Sequence, residues 1–78
     1  MDYEIIDGVF ITMREYMRVM SYFSDWCFWN KVNDETATTE DLDRFVWQLM
    51  DLIDLESYVI RACLKKYFNY FNKGHLVR

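Results

Sequence analysis

The chain has 78 residues, a mass of 9.6 kDa and a net charge of -4. Two domains are excluded, because a domain usually needs about 100–150 residues. With 53% hydrophobic residues the chain is not disordered by composition, yet a chain this short buries only about 60% of the surface that its unfolded form exposes. A large catalytic cleft is therefore not expected. Aromatic residues reach 19%, while alanine occurs only at Ala37 and Ala62. That is more ring volume than a small core holds, and surplus apolar surface marks interaction sites.

The charge is unevenly placed: residues 1–24 carry -2, residues 25–56 carry -7 and residues 57–78 carry +5. An overall acidic balance argues against direct nucleic-acid binding, which needs a basic footprint. The longest uncharged runs, such as Gly8–Met13 and Phe45–Met50, are six residues. A membrane span needs about twenty apolar residues. The acidic N-terminus does not read as a signal peptide. Cys27 and Cys63 lie far apart in apolar segments, which predicts two buried, reduced thiols and a cytoplasmic location.

The fold class expected is mainly all-α: a helical hairpin or small helical bundle with an N-terminal β-hairpin or extended arm, in one domain over residues 1–78. In the arm, residues 1–12, Asp7-Gly8 lies between two β-branched runs, the pattern of a hairpin with a type I′ turn. The competing reading makes Asp7 a helix N-cap. Thr12 and Glu15 have capping-box spacing, with Ile11 and Tyr16 placed as a hydrophobic staple. A first helix is predicted over about 13–31, its core stripe formed by Met13, Tyr16, Met20, Phe23 and Cys27 with Met17 and Val19 flanking. Residues 32–39 form a polar loop, and Thr38 or Thr39 caps a second helix whose first turn holds Glu40, Asp41 and Asp43.

The apolar face of that helix comprises Leu42, Phe45, Val46, Leu49, Leu52 and Ile53. After Ser57 a further face contains Val59, Ile60, Cys63, Leu64, Tyr67, Tyr70 and Phe71, and Lys73-Gly74 reads as a stop with glycine at C′. The two faces are in helical phase with no glycine or proline between them. Residues 40–73 are therefore either one helix about 50 Å long or a bent pair with the bend near Asp54–Ser57. One long helix implies a dimeric four-helix arrangement; a bend allows a monomeric bundle.

No motif carries chemistry. Cys27, Cys63 and His75 lack zinc-ligand spacing, and thiols on apolar faces are inert. Asp51 and Asp54 lie one turn apart on a solvated stripe without the pocket that acid–base catalysis requires. No glycine-rich loop could cradle a phosphate. Lys65–Lys73 interleaves bases with rings as single-strand binders do, but the helical phase turns the rings inward. The expectation is a non-enzymatic protein without cofactor or metal.

Two stripes stand out as candidate partner-binding surfaces. Glu40, Asp43, Asp51 and Asp54 form an acidic stripe with Trp47 at its middle and Tyr58 continuing the line. Trp is enriched at binding hot spots, and acids steer a basic target; alternatively Trp47 packs under the arm or the first helix. Arg18, Tyr22, Asp25 and Trp29 form a second outward stripe of interface-enriched types, read as the contact of an expected homodimer, as a partner contact or as the seat of the hairpin. The function expected is an interaction module that inhibits or adapts a larger protein, which could itself bind nucleic acid. The alternatives are a regulatory homodimer of immunity or antitoxin type and an acidic nucleic-acid mimic. In size and composition, without any residue motif, the chain resembles small phage and mobile-element proteins that block host machinery, such as anti-CRISPR inhibitors.

Overall fold

The computed structural model describes residues 2–78, and the Met1 end of the expected arm lies outside them. The order of elements is β1 (Tyr3–Ile6), β2 (Val9–Thr12), α1 (Met13–Asn30), α2 (Thr39–Met50), α3 (Ser57–Asn69) and a 3₁₀ turn over Gly74–Leu76. The strands form an antiparallel hairpin in which Ile6 faces Val9 and Tyr3 faces Thr12. Asp7 and Gly8 both take positive φ, 50° and 79°, as a type I′ turn demands.

Thr12 ends β2 and caps α1. Its hydroxyl accepts from the Glu15 amide at 3.0 Å, and the Glu15 carboxylate accepts from the Thr12 amide at 2.9 Å. The same box recurs on α2, where Thr38 Oγ1 accepts from the Asp41 amide and Asp41 accepts in return. At the far end of α1, Lys31 enters the left-handed region with φ 56°, and the Val32 amide returns to the Cys27 carbonyl at 3.0 Å.

The segment 40–73 is a helix pair, not one rod. After Met50 the chain tightens, with the Leu52 and Ile53 amides both donating to the Leu49 carbonyl, and α3 restarts at Ser57. The molecule measures 34 × 28 × 18 Å, too short for a helix of 50 Å. Ile53 is buried at this break while Leu52, expected inward, is 71% exposed.

Three helices meet at Phe23. Its ring contacts Phe45 of α2 with centroids 4.9 Å apart, and Phe68 and Tyr67 of α3 at 5.9 and 6.2 Å, all in edge-to-face geometry. Around this point lie Val19, Leu42, Val46, Leu49, Ile60, Cys63 and Leu64, with Ile11 plugging the hairpin onto the core.

The core stripe of α1 is rotated from the expected one. It centres on Val19 and Phe23 with Trp26 beside them, and Met13 and Met17 face outward. At the other end, α3 stops at Asn69, so Tyr70 and Phe71 swing out of the stripe that a longer helix would have given them. Asn72, not Gly74, takes the positive φ of 60° that turns the chain. Gly74 is buried against Asn69, whose Oδ1 lies 1.7 Å from where a Cβ would stand.

Candidate functional site

The basic segment is electrostatically spent within the molecule. Arg61 and Arg78 converge on the carboxylate of Asp43 at 2.7 and 3.1 Å. Lys65 pairs with Asp7, and Lys66 with Glu4 at 2.6 Å, so α3 holds both ends of β1. Lys73 donates to the Asp34 carbonyl at 3.2 Å, and the Tyr67 hydroxyl donates to the Asp34 carboxylate. All five bases of residues 57–78 thus have an acid or carbonyl partner.

This arrangement corrects one residue of the acidic stripe. The Asp43 side chain is only 18% exposed and is held by two guanidinium groups. It joins α2 to α3 and the C-terminus and does not face outward with the others. Glu40, Asp51 and Asp54 are exposed, and among the described residues none of them enters an ion pair.

Trp47 is 62% exposed on the outer side of α2, so it is not packed under the arm or α1. Trp26 fills that packing role instead. Its ring lies 5.6 Å from Phe45, its indole N–H donates to Gln48 at 2.7 Å, and the Arg44 guanidinium sits 5.3 Å over it. Tyr58 is exposed but does not extend the line of Trp47, because the break at 51–56 interrupts the helical phase. It borders a shallow groove with Ile6, Val9 and Arg61, beside the hairpin.

Arg18, Tyr22, Asp25 and Trp29 all lie exposed on α1, with Trp29 at 77%. Sequence reasoning missed the rest of the exposed apolar surface. Phe28 packs edge-to-face on Trp29 at 5.3 Å. On the outer face of the hairpin Tyr3 stacks on Phe10 at 4.5 Å, with Ile5 opposite Phe10. The alternation Tyr3, Ile5 against Glu4, Ile6 was a legible signal for that outer face, since residues two apart share one side of a strand.

The thiols are poor nucleophiles. Desolvation by burial, with smaller contributions from nearby acids, pushes Cys27 up to about 11 and Cys63 up to about 12, so both are protonated at neutral pH. Burial and the bond to Asp34 likewise raise Tyr67. Among the described residues no group of three His, Cys, Asp or Glu side chains could hold a metal ion, and no helix is long and apolar enough to cross a membrane. A groove of about 450 Å³ beside Cys27 is lined by Met20, Val32, Asp34 and Tyr67. The titrating groups it brings to the thiol are the Asp34 carboxylate, which raises the thiol's proton affinity further, and the Tyr67 hydroxyl, itself raised by burial and by Asp34. No family model, curated protein or solved structure matches the chain.

Proposed function

We propose that the protein is a small non-enzymatic interaction module, an inhibitor or adaptor that docks the outer face of α2 on a basic surface of a larger protein. Trp47 is the anchor, and the exposed acids Glu40 in the first turn of α2, Asp51 at its C-terminal end and Asp54 in the break that follows are the steering charges. The observation that carries this reading is the contrast in charge pairing. The bases of α3 and the C-terminus are consumed internally, whereas Glu40, Asp51 and Asp54 have no ion-pair partner among the described residues. A large exposed ring on a helix that carries unpaired acids at both ends has little use in folding, since like charges repel and exposed apolar area gains nothing. Against a cationic surface both become favourable: the indole is buried and the acids accelerate encounter.

Affinity capture from a lysate of the encoding organism, with wild type beside Trp47→Ala and Asp51→Asn/Asp54→Asn, tests the reading. The expected result is a partner retained by wild type, lost with Trp47→Ala and weakened by the double variant or by high salt. Circular dichroism confirms the fold of each variant. If Trp47→Ala captures the same proteins at the same yield, the α2 face is not the docking surface.

A further inference from the structure

We propose that α1 forms a second, separate contact: a symmetric homodimer in which the outward face of α1 packs antiparallel on the same face of a second copy. The helix runs for 18 residues, or about 27 Å. Opposite its core-facing residues Val19 and Phe23 lie Met17 and Phe28, 64% and 75% exposed, with the small Ser21 between them. Trp29 and Tyr22 flank the other side of this face. An apolar face of this kind on a chain so short in core volume lacks an owner within the molecule.

The charges on the face select the occupant. Arg14 and Arg18 lie in its N-terminal half and Asp25 in its C-terminal half, all exposed, and among the described residues none forms an ion pair. A two-fold axis near Ser21 reverses the second helix. Arg18 of each copy then meets Asp25 of the other, and Met17 meets the Phe28 end. Parallel packing would instead place bases on bases. A face whose two halves complement one another fits a copy of itself better than a partner of single sign, and isologous contacts of this kind are the commonest route to dimers.

The area is sufficient for weak to moderate association. The exposed parts of Met17, Tyr22, Phe28 and Trp29 amount to on the order of 600 Å² per copy, about 1,200 Å² in all, which is the lower end for specific interfaces. The dimer should therefore depend on concentration. This contact uses none of the residues of the α2 face, so it stands or falls independently of the docking function.

Sedimentation equilibrium of the full chain, from micromolar to millimolar concentration, is the test. The mass is expected to rise from 9.6 kDa toward about 19 kDa, twice that value. Arg18→Glu is expected to weaken association at least about ten-fold, the double variant Arg18→Glu/Asp25→Arg to restore it, and Trp47→Ala to leave it unchanged. Both changed residues are exposed, and circular dichroism checks that each variant is folded. A mass of 9.6 kDa throughout overturns the proposal. So does a dimer that Arg18→Glu leaves intact, one that the double variant does not restore, or one that Trp47→Ala dissociates.

Discussion

The cations of residues 57–78 and the acids of residues 40–56 are matched blocks of opposite charge in the sequence, yet all of the cations are engaged while most of the acids are left free. On α3 and the C-terminus every base is engaged: two on Asp43, one on Glu4, one on Asp7 and one on a loop carbonyl. At the start of α2 Glu40, and after its end Asp51, Asp54 and Glu56, are exposed without ion pairs among the described residues. The first region uses charge to fix topology. A two-stranded hairpin is marginal alone, and the lysines at two successive positions of α3 hold Glu4 and Asp7 while Ile11 anchors it to the core. The partly exposed pairs contribute at most about 1 kcal/mol each, so they orient the hairpin more than they stabilise it. The second region carries charge that folding does not consume.

The sharpest way to test this division is to break the core that underlies both regions. Phe68 is fully buried and contacts Phe23 and Tyr67. Phe68→Ala should cost about 3–5 kcal/mol, a large share of the few kcal/mol that a chain of this size can muster. Urea denaturation should show the variant largely unfolded or with its midpoint sharply lowered. Next in size is Asp43→Ala, which strips Arg61 and Arg78 of their shared partner and leaves Arg61 half-buried and unpaired. Its cost lies between that of an exposed and a buried pair, about 2–3 kcal/mol. Asp51→Ala, one of the free acids, should cost less than about 0.5 kcal/mol. Equal losses for Asp43→Ala and Asp51→Ala in chemical denaturation would erase the distinction between the two regions.

Much of the fold was legible wherever a local signal acts alone. Asp7-Gly8 marked the hairpin because few residues accept positive φ, and Thr12 with Glu15 marked the start of α1 because a capping box satisfies two amides at once. The break at 51–56 was less legible, because the apolar phase runs through it. The signal that could have found it is electrostatic: Asp51 caps the C-terminal end of α2, where the helix dipole disfavours a carboxylate, and Asp54 and Glu56 precede the N-terminal end of α3, where it favours one. Phe68 and Trp26 were missed because helical phase alone does not say which of two neighbouring rings a third helix will meet. Asp43 was misplaced for the same kind of reason, since its partners Arg61 and Arg78 are remote in sequence. Of the candidate site, exposure of the α1 stripe and of Trp47 could be read from the wheel; the internal consumption of the bases could not.

Alkali provides a third test, directed at the α1–α3 side. Burial raises Cys63 from 9.0 to about 12 and Cys27 from 9.0 to about 11, and raises Tyr16 and Tyr67; the hydrogen bond to Glu4 raises Lys66. All five groups sit on α1 or α3. In each, the folded state holds its proton more tightly than the unfolded state. Stability is therefore fully present below the ordinary value and is lost as pH rises through the folded value. For the thiols that window opens near pH 9 and extends to about 12. At pH 10.5 Cys63 alone should account for about 2 kcal/mol of lost stability, from the 1.5-unit distance above its ordinary value. Urea midpoints at pH 8 and pH 10.5 should fall by less in Cys63→Ala than in wild type, although Cys63→Ala starts lower through its cavity. An identical fall in both would show that the thiol does not contribute.

The smallest expected effect is the most informative about the second region. Trp47→Ala removes a ring that is 62% exposed and donates no hydrogen bond to any described residue. Large rings in a core cost several kcal/mol to truncate, but a surface ring away from caps and networks should change stability by less than about 0.5 kcal/mol. Trp26→Ala is the internal control. That ring touches Phe23 and Phe45 and is pinned by Gln48 and Arg44, so its loss should be several times more costly in the same denaturation assay. The two tryptophans also separate by fluorescence quenching: acrylamide should reach Trp47 and Trp29 readily and Trp26 poorly. If Trp47→Ala destabilises as much as Trp26→Ala, Trp47 belongs to the structural region, and the acids around it lose the anchor on which a docking role depends.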